Sequence, residues 1–152
     1  MITIGARTGI GKSVFAVNCA VAAAQANATV MLFSLEMSQD QITDRIVSST
    51  TGIPLSTLKT GELSAEQMDM LDNDEIARMR IIVDTEPRLT VDMIRARALK
   101  QAQSPQGLDF VVVDYLQLIT PVGRFSSRQE AVADISRNMK LLAKQLEVPV
   151  MV

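Results

Sequence analysis

The chain has no histidine and a single cysteine among its 152 residues. Without histidine, imidazole acid–base chemistry and imidazole metal ligation are excluded. One thiol, Cys19, cannot close an internal disulfide or build a structural zinc site. Cys19 sits inside an apolar helical stretch and reads as a small packed side chain rather than a reactive thiol. Aromatic residues make up only 3% of the chain against 47% hydrophobic residues, so the core must be built from Ala, Val, Ile, Leu and nine Met. Charge of either sign is not in excess: 15 Lys and Arg stand against 17 Asp and Glu, a formal −2. Bulk charge therefore gives no general attraction to a polyanion, and any nucleic-acid contact must come from local arginine and lysine placement. No uninterrupted apolar run reaches the ~20 residues of a membrane span. The longest helical apolar stretch, residues 14–26, is broken by Asn18 and Gln25, with Asn27 following it. The opening residues do not read as a charged-then-apolar secretory leader. The expectation is a soluble, cytoplasmic protein with no membrane association.

What is present is one dense motif. Ala6-Arg7-Thr8-Gly9-Ile10-Gly11-Lys12-Ser13 follows a short apolar run, Met1-Ile2-Thr3-Ile4, and leads into the helical stretch that begins at Val14. A strand, a glycine-containing turn and a Gly-Lys-Ser helix start form a phosphate-binding loop, where backbone N–H groups and the helix N-terminus converge on an anion. Lys12 is expected to reach the β- and γ-phosphates of a nucleotide as a point charge, with the Ser13 hydroxyl in the shell of a Mg²⁺ ion. The nucleotide-binding set is then Ala6, Arg7, Thr8, Gly9, Ile10, Gly11, Lys12, Ser13 and Val14. The usual spacing wants glycine where this chain has Ala6, with Gly5 one residue early. Alanine tolerates most backbone conformations other than positive φ, so the departure is mild.

Runs rich in β-branched residues at 1–4, 29–33, 80–83, 110–113 and 148–152 read as strands. Helical patterns lie between them. Ser38-Gln39-Asp40-Gln41 is a capping box ahead of Ile42, Ile46 and Val47, and Gly52 stops that helix. Ser64-Ala65-Glu66-Gln67 is a second capping box, with Leu63 and Met68 placed as a hydrophobic staple. Thr90 caps a third helix with the staple pair Leu89 and Ile94, and residues 128–146 put Val132, Ile135, Met139, Leu142 and Leu146 on one helical face. Residues 51–62 read as a helical excursion, Ser104-Pro105-Gln106-Gly107 as a turn, and residues 120–127 as a mobile loop. Near-continuously apolar strands alternating with helices argue for an α/β fold, a mostly parallel sheet with helices on both faces. Both ends read as cut, so the expectation is a part of a longer protein, truncated at each end.

Two acids complete the site. Phe110-Val111-Val112-Val113-Asp114 is an apolar run ending in a carboxylate. In a nucleotide-binding parallel sheet, ligands sit at the carboxyl ends of the strands, which brings Asp114 to the rim of the phosphate loop, suited to holding Mg²⁺ through water. The run at 29–33 ends at the same rim in Ser34-Leu35-Glu36-Met37. Glu36 then faces the γ-phosphate, where phosphoryl transfer to water needs a group that orients or deprotonates the attacking water. The competing reading of Glu36 is a surface glutamate ahead of the Ser38 cap.

These segments together resemble the DnaB-type replicative DNA helicases. The resemblance is carried by residues 5–13, by Phe33-Ser34-Leu35-Glu36-Met37-Ser38, by Asp114-Tyr115-Leu116-Gln117-Leu118 and by Ile135-Ser136-Arg137-Asn138-Met139-Lys140 with the Leu141-Leu142-Ala143-Lys144 that follows. Thr60-Gly61-Glu62-Leu63 and Ile94-Arg95-Ala96-Arg97-Ala98 extend it over essentially the whole chain. It implies a RecA-like P-loop ATPase domain, a homo-hexameric ring, and ATP-driven translocation along single-stranded DNA with strand separation. It also implies primase and a helicase loader as partners. Lys12 and Ser13 then bind phosphates and magnesium, Glu36 is the catalytic base, and Asp114 is the acid of the second motif. The chain departs from the family in Thr8-Gly9-Ile10, where Pro-Ser-Met is usual, and in Ser13, where Thr is more usual. The family's N-terminal domain, sensor glutamine, further DNA-contacting loop and arginine finger are expected outside these residues. Arg124 and Arg128, on either side of Phe125, are candidate DNA-phosphate contacts facing a pore, or else exposed arginines of a solvated loop. Arg95, Arg97, Lys100, Arg137, Lys140 and Lys144 read as solvated or intersubunit faces. Two other readings remain open at this point: a recombination or repair ATPase of the RecA type, and a nucleotide-gated assembly module without turnover.

Overall fold

Each apolar run after the first becomes a parallel strand, and the helices between them cover both faces of the resulting sheet. The structure, a computed structural model, describes residues 1–7, 9–72 and 74–152. In chain order the elements are α1 (Lys12–Gln25), β1 (Thr29–Ser34), α2 (Gln39–Thr51), three short helices α3 (Leu55–Thr60), α4 (Ala65–Leu71) and α5 (Asp74–Arg78), then β2 (Arg80–Asp84), α6 (Val91–Ala102), β3 (Phe110–Asp114), a 3-10 turn (Leu116–Leu118), α7 (Arg128–Leu146) and β4 (Val150–Met151). The strand order is β2-β1-β3-β4, with every pair parallel. The chain thus leaves β1 to one side for β2 and returns to the other side for β3. That reversal opens a crevice beyond the carboxyl ends of β1 and β3.

Side chains alternate across the sheet with the period of two that a strand imposes. Val30 and Leu32 of β1 pack with Ala16, Val17, Ala20, Val21 and Ala24 of α1 and Ile42 of α2. Met31 and Phe33 pack on the opposite face with Ile94 and Ala98 of α6 and Ile135, Met139 and Leu142 of α7. Because both faces are covered, β1 is buried at every position, which is why the strand reads as a continuous apolar run. Cys19 is free and partly buried against the α1 face of the core.

Local signals translate directly. Ser38 Oγ accepts from Gln41 N–H at 3.3 Å while Gln41 Oε1 accepts from Ser38 N–H at 3.1 Å. Ser64 and Gln67 repeat that reciprocal pair. Thr90 Oγ1 caps α6 through Met93 N–H at 3.3 Å, and Leu89 and Ile94 are both fully buried. The second staple pair stays out of the core: Met68 is 56% exposed, Leu63 is half-buried and α4 buries no residue.

The first and last predicted strands are shorter than their apolar runs. Residues 1–4 join the outer edge of β4 through Ile2 N–H to Val150 O at 2.7 Å, Val152 N–H to Ile2 O at 3.0 Å and Ile4 N–H to Val152 O at 2.8 Å. This leaves a single bridge, Ile2 to Met151, rather than a full strand, and residues 1–4 stay exposed. The run at 148–152 contributes only Val150–Met151 to the sheet, in register with Val111 and Val112. Pro149 has no N–H to donate, although its carbonyl accepts from Val111 N–H at 3.0 Å. Among the described residues, no helix is long and apolar enough to cross a membrane.

Candidate functional site

Gly9 and Gly11 hold φ of 82° and 96°. That left-handed region costs an L-residue about 1–2 kcal/mol, so these are the positions at which the loop needs glycine. Ala6 is not among the residues with positive φ, and the missing glycine of the usual spacing is therefore conformationally unimportant. Gly11 occupies the N-cap of α1 and brings no side-chain acceptor, and the first turn of α1 carries no acidic residue. The positive end of the α1 dipole and its free N–H groups are left for an anion. Thr8 lies outside the described residues. Arg7 and Ile10 are exposed, and the Arg7 carbonyl accepts from Ile10 N–H at 3.5 Å.

A cleft of about 480 Å³ opens over this turn. Gly9, Gly11, Lys12, Ser13 and Val14 form one wall, Glu36 and Met37 come from the segment after β1, Gln41 and Arg45 from α2, and Tyr115 from the end of β3. Glu36 reaches the cleft through a tight turn in which Ser34 Oγ donates to Met37 O and accepts from Met37 N–H, both at 3.2 Å. Lys12 makes no ion pair among the described residues; its Nζ lies over the Tyr115 ring, 4.2 Å from the centroid.

Asp114 ends β3 opposite Ser34 of β1, and its carbonyl accepts from Leu35 N–H at 2.8 Å. The residue is 5% exposed, and its Oδ2 is buried with no hydrogen-bond partner. Lys12, Asp114 and Tyr115 also line a second, narrower pocket with Phe15, Val113 and Met151. Among the described residues no three acids or thiols cluster as an all-protein metal cage. Mg²⁺ does not need one: it takes one or two carboxylates and completes its shell with hydroxyl, water and phosphate oxygens. The unpartnered Asp114 oxygen and the Ser13 hydroxyl are donors of the type that such a shell takes; Ser13 lines the cleft and Asp114 the narrower pocket, with Lys12 and Tyr115 common to both.

Arg124 and Arg128 are exposed and do not line the cleft; Arg128 borders a separate surface groove with Val132 and Ser136. Of the other basic residues singled out in the sequence, Lys100 is exposed and Arg95 and Arg97 are half-buried. Arg97 pairs with Asp84, Arg95 lies 3.8 Å from Asp92, and Arg137, Lys140 and Lys144 are on the outer side of α7. Arg45, Gln41 and Tyr115 were not singled out as cleft residues by sequence. For the first two a signal existed: a helix that starts beside Glu36 carries positions 41 and 45 on one face, one turn apart.

A parallel sheet whose order reverses beside a glycine-bent turn, with Lys12 and Ser13 opening α1 and carboxylates at the same rim, defines a RecA-like P-loop α/β domain. The family model described as DnaB-like helicase C terminal domain matches residues 1–152, and the chain belongs to that family. It is 39% identical over 154 aligned residues to the replicative DNA helicase DnaB of Geobacillus stearothermophilus, covering 99% of this chain and 34% of that protein. Among solved structures it resembles a DnaB-like replicative helicase described together with its interactions with primase (TM-score 0.90, 27% identity, 99% of this chain and 37% of that one). It resembles a second solved structure, described as an ATPase domain, equally closely, covering 99% of this chain and 55% of that one (TM-score 0.90, 27% identity). The chain spans about a third of the length of the curated relatives it matches.

Proposed function

We propose that the chain is the ATP-hydrolysing motor domain of a replicative DNA helicase, coupling hydrolysis to translocation on single-stranded DNA and duplex unwinding. The observation that carries this reading is the convergence of Lys12, Ser13 and Glu36 on one cleft with Asp114 beside Lys12. Lys12 and the free N–H groups at the start of α1 bind the β- and γ-phosphates of ATP. Ser13 and Asp114 hold Mg²⁺, which when bound neutralises charge on the phosphate oxygens. The Glu36 carboxylate orients the attacking water and accepts its proton. Arg7, Gly9, Gly11 and Val14 shape the loop around the phosphates, with Ala6, Thr8 and Ile10 belonging to the same segment. Arg124 and Arg128 contact DNA phosphates. The partners of this reading are single-stranded DNA, five further copies in a homo-hexameric ring, primase and a helicase loader. The named interaction of a DnaB-like relative with primase supports the third of these.

The test is a pair of substitutions in the intact protein. Glu36→Gln is expected to lower DNA-stimulated ATP hydrolysis by about 10²-fold or more while ATP binding persists. Lys12→Ala is expected to lose ATP binding itself. Hydrolysis indifferent to Glu36→Gln would remove the enzymatic reading and leave a nucleotide-gated assembly module.

A further inference from the structure

Tyr115 has no role in the chemistry above, yet its ring carries the Lys12 ammonium, 4.2 Å from the centroid. We propose that Tyr115 is a positioning residue: its ring face holds the phosphate-binding lysine at the cleft before nucleotide arrives. The proposal rests on the nucleotide reading of the site.

Lysine is a compact charge on a flexible four-carbon stem, and much of its rotamer freedom is lost when it engages phosphate. Among the described residues Lys12 has no carboxylate partner to restrain it. The electron-rich ring face attracts an ammonium without neutralising it, so the charge stays available to an anion. The ring itself stands on a pinned backbone. On one side the Asp114 carbonyl accepts from Leu35 N–H at 2.8 Å, and on the other the Tyr115 carbonyl accepts from Leu118 N–H at 3.0 Å. Leu116, the next residue, is buried in the core. Both Tyr115 and Lys12 line the cleft that also holds Ser13 and Glu36, so the ring that carries the ammonium borders the phosphate side. A ring that sequestered the lysine would have to draw it out of that cleft. A lysine ordered beforehand loses less freedom on binding, and the gain appears as affinity.

The experiment compares Tyr115→Phe and Tyr115→Leu in the intact protein, with Tyr115→Met as a second ringless variant should Leu lower the melting temperature. Binding of Mg-ATP, the KM and kcat of hydrolysis and thermal melting are measured together. Leu is expected to raise Kd and KM together by roughly three- to tenfold. Its kcat should stay within about twofold, the pattern of lost uniform binding. Phe keeps the ring face and is expected to restore wild-type values. Unchanged affinity in the ringless variants, tighter binding in them, or a Phe variant as weak as Leu would overturn the proposal. Binding that is indifferent to Lys12→Ala would instead sink the nucleotide reading, and this inference with it.

Discussion

Ser34 and Asp114 are register partners at the carboxyl ends of β1 and β3, and the Leu35 N–H extends their ladder onto the Asp114 carbonyl. That pairing aligns the ends of two strands distant in sequence. Glu36, two residues beyond Ser34, and Asp114 therefore emerge on the rim where Gly11 and Lys12 begin α1.

Asp114 is held at a cost. A buried carboxylate oxygen without a hydrogen-bond partner destabilises the protein that carries it. Asp114→Asn is expected to raise the melting temperature of the nucleotide-free protein by roughly 2–4 °C, the shift produced by about 1 kcal/mol in a domain of this size. The same change should reduce Mg²⁺-dependent ATP hydrolysis by at least about 10²-fold. Scanning calorimetry and an ATPase assay on one preparation check both arms.

The phosphate loop should separate glycines required by φ from glycines of habit. Gly11→Ala forces a methyl group onto a residue at φ 96°, with no atom near enough to clash, so the penalty is purely backbone strain of about 1–2 kcal/mol. Ala6→Gly restores the usual motif residue where no positive φ asks for it, and is expected to lose about 0.4–1 kcal/mol through the unfolded chain. Urea midpoints of the two variants give the comparison.

Arg124 and Arg128 offer a test in solution. If each meets a DNA phosphate in the intact protein, replacing either by alanine lowers the slope of log K against log salt by about one. Fluorescence anisotropy on single-stranded DNA across a salt series reads that slope, and an unchanged value would assign both to solvent.

The start of α7 should respond to acid. Glu130 is exposed, and its carboxyl is held below the ordinary value of 4.5, first by the Ser126 hydroxyl at 2.5 Å, then by the Ser126 and Ser127 N–H groups. A group whose value is depressed on folding stabilises the folded form above its unfolded value, and that contribution is lost as pH falls through the folded value. Glu130→Gln is therefore expected to fray the first turn of α7 at neutral pH and to match wild type once pH falls well below 4.5. Amide exchange at the start of α7 across that range is the measurement.

Much of the architecture could be read in the chain because its causes are local. The caps at Ser38, Ser64 and Thr90 form within three residues of each hydroxyl, and the apolar spacing of Ile135, Met139 and Leu142 sets the buried face of α7. The Gly-Lys-Ser turn and Glu36, expected from sequence at one rim, line one cleft, while Asp114 lines the narrower pocket that shares Lys12 and Tyr115 with it. Local pattern did not show that Met68 stays exposed, on a short helix that touches α2 without burying a residue. It overreached for the run at 148–152, of which only Val150–Met151 forms a strand beside β3.

Residue order alone was enough for element type, helix ends and the identity of the charged groups, since hydrogen bonds and caps span a few positions along the backbone. Strand order, the contact of Lys12 with Tyr115 and the unpartnered oxygen of Asp114 came only with folding. Those depend on which strands pair in which register and on which helix crosses over them. Such choices are made by burying both faces of one sheet at once, a condition that no short window of residues contains.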